Sequence, residues 1–378
     1  MRDAVTKGLG LAQSAVVTFG QQQNDLVTST DDYDYDYVLD CKPTAQGGPL
    51  ALALSNMKVQ LRDRETLALQ QEFHAHNSTI HEIWASDASP WSIATCSSDE
   101  HVKLWDLRSK LPAMVVPIGC EAWSLSIGLG DSLLAVGTDV KAHFFDVRSG
   151  KKLGEYGESH IDAVTKVRFH PTQLPFIVTA SEDGVVCLFN CSIPDEDEAI
   201  ESILNVESAV TNIGFFGQNL ENIYCLTGTE TLDLWNLQSA QRIHHYETIR
   251  PDCNANGIST DYLIDCVYDR QTDDLFLLTG DHSGTLNSIN IGSNGQHGQL
   301  QLAATLKGGH KACIRSAYYD PARLSLYTGG EDARLCRWTA GAPVSAAASP
   351  SPAAMQWKND AAHDPAGIKK ARKSSRPY

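Results

Sequence analysis

The sequence predicts an all-β fold in which a unit of four short strands repeats seven times. Two alternating apolar runs joined by a tight acidic turn recur along the chain, as in residues 92–109 and 176–192. Each pair closes on a marker position, usually aromatic, and successive markers are roughly 40 to 54 residues apart. A further run precedes each pair and another follows it. This pattern is typical of β-propeller blades. The markers are Arg62, Trp105, Phe145, Phe189, Trp235, Ile289 and Trp338.

The two ends of the chain are predicted to behave differently. No strand-like run follows Trp338, whereas Ser14–Phe19 precedes the first unit, so we expect this N-terminal strand to complete the last blade and close the ring. The propeller then spans residues 1–339. Residues 340–378 are rich in Ala, Ser and Pro with a basic end, a composition that predicts a disordered tail. Because two copies are weak, six or eight blades remain alternatives.

Composition narrows the classes of function. The formal net charge is −16, which disfavours direct binding of nucleic acid and favours a protein or peptide partner of basic character. The ten cysteines are scattered without zinc spacing, so we expect neither a metal nor another cofactor. No apolar run approaches the length of a membrane span. These features predict a protein of the nucleus, the cytoplasm or both, with an oligomeric state that the sequence does not indicate.

Two short motifs carry a resemblance to a known family. Leu104-Trp105-Asp106 and Gly309-His310 resemble the WD repeat, whose units open near Gly-His and close on Trp-Asp. Residues 162–171, 261–274 and 306–338 resemble one member of that family more closely, and the similarity extends over essentially residues 35–340. It implies a single seven-bladed WD-repeat β-propeller that acts as a non-enzymatic scaffold or adaptor. Arg62, Thr229 and Ile289 depart from the family pattern, so blade boundaries are least defined there.

Recurring His, Ser and Asp residues could be mistaken for a catalytic triad. A triad needs one copy with an oxyanion hole, whereas this set recurs from blade to blade. The resemblance implies a structural network instead, in which the His caps a loop, the turn Asp accepts its hydrogen bond, and Ser and Trp anchor the strands. We therefore predict no catalytic residue. The network residues are His76, Ser97, Asp99, His160, Ser181, Asp183, His310, Asp332 and Trp338.

One motif resembles a docking signal. Residues 93–108 are similar to the segment by which some WD proteins bind the adaptor of cullin-4 ubiquitin ligases. In this hypothesis Trp105 and Asp106 form the strand end, and Arg108 pairs with an adaptor carboxylate. Arg148 offers a partial second copy. The alternative is that Trp-Asp-x-Arg is ordinary strand-end chemistry.

The resemblance also predicts a peptide-binding surface on one face of the ring. WD propellers commonly bind peptides at their narrow top face, and the register places inner-strand and turn residues there. Trp123 and Arg315 are the residue types most often dominant in interfaces, although Trp123 could instead pack between blades. Glu182 and Glu331 would favour a ligand carrying Lys or Arg. The predicted top-face residues are His81, Trp123, Thr165, Glu182, Arg315 and Glu331, with Ser98, Thr138, Thr211 and Ile264 beside them.

Two charged segments have two interpretations each. The insert at residues 195–198 is a solvated loop or a docking patch for a basic tail. The cluster Lys369–Lys373, with Arg376, is a nuclear import signal or a solubilising end. Three functions follow: a scaffold that binds a protein partner, a substrate receptor of a cullin-4 ligase, or an enzyme on a propeller frame. The enzyme has no supporting cluster of charged or nucleophilic residues outside the repeated network.

Overall fold

The computed structural model describes residues 1–2, 9–17, 36–86, 88–109, 111–293 and 296–340. Within these ranges the chain forms seven antiparallel sheets of four strands each. The predicted all-β fold with seven blades is therefore confirmed, and the alternatives of six or eight blades are wrong. The tail was predicted to begin at residue 340, but Ala340 belongs to the last strand of the propeller, and residues 341–378 of the predicted tail lie outside the described residues.

Blades 1 to 4 each use four consecutive strands, and the first strand is innermost. Their strands are β2 Val38–Pro43, β3 Leu50–Leu54, β4 Lys58–Arg62 and β5 Leu69–His74; β6 Ile80–Ala85, β7 Ser92–Ser97, β8 His101–Asp106 and β9 Pro112–Pro117; β10 Ser124–Gly128, β11 Leu133–Gly137, β12 Ala142–Asp146 and β13 Lys152–Tyr156; β14 Lys166–Phe169, β15 Phe176–Ala180, β16 Val185–Asn190 and β17 Ile200–Asn205.

Blades 5 and 6 follow the same order, while blade 7 takes its outer strand from the N-terminal region, as the order β26-β27-β28-β1 shows. Their strands are β18 Val210–Phe216, β19 Asn222–Thr227, β20 Leu232–Asn236 and β21 Gln241–Tyr246; β22 Tyr262–Asp269, β23 Asp274–Gly280, β24 Leu286–Ser293 and β25 Gln296–Leu306; β26 Ile314–Asp320, β27 Ser325–Gly330, β28 Arg334–Ala340 and β1 Leu9–Val16.

The ring closes through β1, as predicted from the sequence. It pairs antiparallel with β28, from Leu9 opposite Ala340 to Val16 opposite Arg334. The predicted bounds were displaced, because the strand is Leu9–Val16 rather than Ser14–Phe19. Most β1 side chains are exposed or half-buried, so the apolar run at 14–19 was a poor guide to an outermost strand.

Burial is greatest in the second strand of a blade, lower in the channel-lining first strand, and lowest in the outer strand. The second strands β3, β11 and β23 are buried along their whole length, because neighbouring blades pack on both of their faces. The outer strand β13 is exposed at every position except its last. Apolar clusters that combine residues of adjacent blades form the core, which is why the second strands are continuous apolar runs.

Polar side chains of the inner strands connect successive blades. The Asp40 carboxylate accepts a hydrogen bond from the backbone N–H of Ile83 at 3.0 Å. Glu82 accepts one from Leu125 at 3.0 Å, and the Ser124 hydroxyl accepts one from Val167 at 3.1 Å. Each side chain satisfies a donor of the next blade beside the central channel.

Two short helices interrupt the repeat. Helix α1, Glu196–Ala199, lies in the acidic insert of blade 4, and α2, Ile249–Ala255, lies between blades 5 and 6. The insertion of α2 explains the long interval between Trp235 and Ile289. Neither helix has the length and apolarity needed to cross a bilayer.

The loops define two faces of the ring. The top face carries the turn between the second and third strands of each blade and the connections from one blade to the next. The bottom face carries the turns between first and second strands and between third and fourth strands. These two names are used below.

Candidate interaction surface

A buried hydrogen-bonded chain links the top loop of blade 2 to its sheet. The indole N–H of Trp105 donates to the Thr95 hydroxyl at 2.9 Å, and that oxygen lies 2.7 Å from Nε2 of His76. Nδ1 of His76 lies 2.9 Å from the Asp99 carboxylate. The chain is continuous when Thr95 donates to Nε2 and His76 carries its proton on Nδ1. Burial lowers the pKa of His76 to about 4, consistent with a neutral ring.

Blade 7 repeats this chain. Trp338 donates to the Thr328 hydroxyl at 2.8 Å, which lies 2.8 Å from Nε2 of His310. Nδ1 of His310 lies 3.0 Å from Asp332. All partners lie within one blade, and Trp338 and His310 are buried.

Blade 4 has a shorter version. His160 lies 2.7 Å from the Thr179 hydroxyl and 3.2 Å from Asp183. The marker Phe189 has no donor, so the chain ends at Thr179. Burial lowers the pKa of His160 as well.

The serine predicted to join the network has a different position in it. The Ser97 hydroxyl donates to the carbonyl of Ser78 at 3.1 Å and accepts from the backbone of Asp99 at 3.1 Å. Ser181 makes the corresponding bonds to Asp162 and Asp183. These serines hold the turn, whereas the hydroxyl between the His and the Trp belongs to a threonine two residues earlier. These threonines, Thr95, Thr179 and Thr328, were not among the predicted network residues.

A polar cluster lies on the top face where blades 2 and 3 meet. Nε2 of His81 lies 2.7 Å from the Ser98 hydroxyl and 3.1 Å from the Glu121 carboxylate. Ser98 also donates to Glu121. The Ser98 hydroxyl and the His81 ring lower the pKa of Glu121, so its carboxylate is ionised at neutral pH. The ring of Trp123 contacts that of His81 in a tilted arrangement, with 4.5 Å between ring centroids and an interplanar angle of 41°.

The indole N–H of Trp123 is buried and has no hydrogen-bond acceptor among the described residues. A buried donor without an acceptor is unfavourable by about 1–3 kcal/mol. Trp123 therefore combines an apolar ring beside a carboxylate with an unused donor. We call His81, Ser98, Glu121 and Trp123 the top cluster.

The other predicted top-face residues are less available. Arg315 donates to Glu331 through Nε at 2.6 Å, and the two charges neutralise each other. The Thr165 hydroxyl donates to the Val210 carbonyl of the next blade at 2.6 Å. Glu182 is exposed at the tip of its turn. Of these four, only Glu182 presents an uncompensated charge to a partner.

Further carboxylates surround the top face. Asp139, Asp162 and Glu182 are exposed in the top loops of blades 3 and 4. None of them forms an ion pair with a residue in the described ranges. We call these three residues the acidic rim. Together with ionised Glu121 they create a negative potential at this side of the channel, which attracts cationic partners.

The central channel contains charges that the sequence analysis did not identify. Glu82 is buried, receives hydrogen bonds from Arg168 and lies 3.4 Å from Nζ of Lys166. Burial opposes its ionisation, but these cations lower the pKa of Glu82 well below its usual range. On the other side, Asp265 accepts from Tyr224 at 2.9 Å, and burial raises its pKa.

The channel is a polar cavity of about 260 Å³. These channel residues could have been found from the sequence, because charged residues occur at inward positions of the inner strands, as in the segment at 78–86. Within the described residues no group of three or more His, Cys, Asp or Glu side chains is arranged to hold a metal ion.

The residues of the cullin-4 hypothesis lie on the bottom face. Trp105 is buried in the blade, as its hydrogen bond requires. Arg108 is 67% exposed and is held by Asp106, with Nε 2.9 Å from one carboxylate oxygen. Arg148 is exposed at the equivalent end of blade 3. The guanidinium of Arg108 is thus positioned by its own blade and faces solvent.

The acidic insert has a structural role at Glu196. Its carboxylate accepts hydrogen bonds from the backbone of Gly157 at 2.6 Å and of Ser159 at 2.8 Å. Asp195 caps α1 by accepting from Glu198. These bonds fix the loop before His160, and Glu196 is therefore not free to contribute to the predicted docking patch.

Comparison with known proteins agrees with this geometry. Residues 67–106 match the family model described as WD domain, G-beta repeat. The WD repeat-containing protein GTS1 of Arabidopsis thaliana is 34% identical over 319 residues, covering 80% of this chain and 81% of the relative.

Two further relatives bear on the resemblance and on assembly. The WD repeat-containing protein 89 homolog of Dictyostelium discoideum is 29% identical over 323 residues, covering 84% of this chain and 88% of that protein. Protein 89 is the family member that residues 306–338 resemble, and the resemblance is confirmed. The GATOR2 complex protein Wdr59 of Drosophila melanogaster is 26% identical over 135 residues, covering 35% of this chain and 14% of the relative.

Proposed function

Because the chain belongs to the WD-repeat family, we propose that it is a non-catalytic interaction scaffold whose top face binds a protein partner of basic character. WD-repeat propellers generally mediate protein interactions. One relative is named as a protein of the GATOR2 complex, which is an assembly of the kind such a scaffold would join.

The top cluster and the acidic rim are the observation that carries this proposal. A partner that inserts a Lys or Arg beside Glu121 would neutralise an ionised carboxylate, and its side chain would pack against the half-buried ring of Trp123. Aromatic residues beside charged groups often dominate interface energies. The rim would raise the association rate in a salt-dependent manner.

Charge reversal of the rim tests the proposal. We would purify the full-length chain with its partners from its own cells, beside Asp139→Lys/Glu182→Lys and the bottom-face control Glu65→Lys, at an exposed position in the turn after β4. We expect the reversal to reduce stoichiometric partners about tenfold and the control to retain them. Trp123→Phe, which keeps an aromatic ring but reduces its area, should give a smaller loss. Partners retained equally by all variants and at high salt would contradict top-face binding.

A second candidate is a substrate receptor of a cullin-4 ligase, favoured by the exposure of Arg108 and its orientation by Asp106. Binding of the purified adaptor to the full chain should be lost with Arg108→Ala and weakened with Arg148→Ala. Because Arg108 is at the surface, its loss should leave the unfolding transition unchanged. Equal adaptor binding by wild type and Arg108→Ala would exclude this role.

The basic end of the chain supports a further proposal, that the protein is nuclear as well as cytoplasmic. Lys369–Lys373 has the composition of an import signal. We expect Lys→Ala changes at 369, 370 and 373 to shift a fluorescent fusion toward the cytoplasm. An unchanged distribution would leave the cluster with a solubilising role.

A further inference from the structure

An apolar recess with two chambers lies on the bottom face, with walls mainly from blades 2, 3, 4 and 5. The larger chamber, at the channel mouth, has a volume of about 570 Å³ and is lined mainly by Trp84, Leu129, Phe169 and Phe215. This volume is within the range of roughly 300–1,000 Å³ typical of ligand pockets. We call both chambers together the bottom recess.

The smaller chamber lies between blades 2 and 3. Its volume is about 270 Å³, and Ile93, Leu104 and Val147 form much of its wall. Trp84, Ile127 and Asp131 line both chambers, so the two are continuous.

The rim of the recess also has apolar side chains in solvent. Leu174 lines the larger chamber and is 56% exposed. Trp91 and Leu111 are exposed next to segments that line the smaller chamber. Apolar surface rimmed by polar residues is characteristic of sites for protein partners.

Among the described residues, Asp131 supplies an uncompensated charge at the junction of the chambers. Its carboxylate accepts from the Ser86 hydroxyl at 2.6 Å and forms no ion pair within the described ranges. The cations at the inner end, Arg168 and Lys42, are already paired with Glu82 and Asp40. A half-buried carboxylate among apolar side chains is poorly solvated, and a cation from outside would stabilise it.

We propose that the bottom recess docks a segment of another protein in which a Lys or Arg pairs with Asp131 and large apolar side chains on either side of it fill the two chambers. The shape requires two apolar groups because there are two chambers. The charge complementarity of Asp131 requires a cation between them. The bottom recess lies opposite the top face, and binding there does not depend on the function proposed for the top face.

Selection from a displayed library of random peptides tests the specificity. The full chain and its Ala88→Arg variant would be used in parallel. Ala88 is exposed and lines the larger chamber, so an arginine there would occupy the recess and neutralise Asp131 without disturbing the core. We expect the peptides enriched on wild type but not on Ala88→Arg to carry a Lys or Arg between large apolar residues. Identical peptides from both proteins, or enriched peptides without a cation, would overturn the proposal.

Affinity measurements then test Asp131 itself, using the most enriched peptide with a fluorescent label and reading anisotropy. Asp131 has φ +61°, a conformation that Asn adopts readily, so Asp131→Asn removes the charge without straining the turn. We expect about tenfold weaker binding. The matched control Asp273→Asn, at the corresponding turn of blade 6 where Asp273 has φ +56°, should bind as wild type does. Equal affinity of wild type and Asp131→Asn would refute the ion pair.

Replacing the cation of the peptide with Gln should weaken binding to wild type but add little to the effect of Asp131→Asn. Additive losses would show that the cation pairs elsewhere and would overturn the assignment. Tight binding of purely apolar peptides by both wild type and Asp131→Asn would also overturn the assignment, because it would indicate that the recess binds uncharged apolar ligands.

Discussion

Blades 1 and 2 are neighbours, but the residue at the marker position makes different hydrogen bonds in each of them. In blade 2, Trp105 donates to Thr95, so the hydrogen-bonded chain joins a loop to its own sheet. In blade 1 the marker is Arg62, which is 3% exposed. Its guanidinium donates to Leu67 at 2.8 Å and to Val16 of β1 at 3.2 Å. Blade 2 is stabilised locally, and blade 1 is attached to the strand that closes the ring.

A second side chain of blade 1 has the same role. Gln60 is fully buried; its oxygen accepts from Arg62 at 2.9 Å and its amide donates to the Val17 carbonyl at 2.8 Å. The arginine at position 62 therefore has a structural role in closing the ring, and blade 1 is not simply a degenerate copy of the WD repeat. Where the chain must bind a strand that is distant in sequence, a multivalent donor replaces the Trp.

Removing the Arg62 guanidinium should have the largest effect on stability. Arg62→Met keeps the aliphatic bulk but leaves the carbonyls of Val16 and Leu67 without a buried donor. We expect a loss of about 3 kcal/mol in the free energy of unfolding, measured by urea denaturation. An unchanged midpoint would mean that apolar packing replaces these bonds, and the contrast with blade 2 would then be only geometric.

The role of Arg62 in ring closure can be separated from its role within blade 1. Ala15→Pro disrupts the pairing of β1 with β28, in which Ala15 is opposite Leu335. If Arg62 acts through β1, the double variant Ala15→Pro/Arg62→Met should be less destabilised than the sum of the two changes. Additive effects would confine Arg62 to blade 1.

Thr95→Val should have the next largest effect on stability. It tests the local hydrogen-bonded chain of blade 2. The change is nearly isosteric and removes a hydroxyl that bonds both Trp105 and His76. We expect a loss of about 2 kcal/mol, since two buried polar groups lose a partner. Ser97→Ala, two residues away, should cost less because the turn remains exposed to water. If Ser97→Ala were the more destabilising change, the serine would be the central hydroxyl after all.

The blade count was predictable because it depends on local alternation and on a marker that recurs, both of which survive weak copies. The bounds of β1 could not be predicted, because this strand is mostly exposed and pairs with residues more than three hundred positions away. The bridging threonine was missed for a geometric reason. Trp105 pairs with Ile93, and its indole reaches Thr95 along that strand but not Ser97.

The top face was predicted less completely than the fold. The register predicted His81 and Trp123 on one face, and the structure brings their rings together, but Glu121 contributes from the loop before β10. The pairing of Arg315 with Glu331 also depends on side-chain contacts between strands of one blade. Sequence patterns locate positions on a face, whereas the charge that remains uncompensated depends on which side chains meet.

Acidification should lower the free energy of unfolding by a smaller amount, through His76 of blade 2. The pKa of His76 is lowered to about 4 by burial, against about 6.5 in an unfolded chain. Its contribution to stability is therefore fully present above pH ~6.5 and is lost as pH falls toward 4. Between about pH 7 and 5.5 the difference in unfolding free energy between wild type and His76→Gln should narrow by about 1 kcal/mol. A constant difference across this interval would show that His76 is not held neutral.

The smallest effect is expected at the equivalent threonine of blade 6. Thr279 is also buried, but its hydroxyl lies 3.1 Å from the Thr260 hydroxyl where blade 2 has a histidine, and the marker is Ile289. Thr279→Val removes one neutral hydrogen bond and leaves no indole unpaired, so we expect a loss of about 0.5–1 kcal/mol. Urea denaturation beside Thr95→Val makes the comparison under identical conditions. A loss as large as that of Thr95→Val would mean that the threonine, rather than the Trp and His that it joins, accounts for the stability of a WD blade.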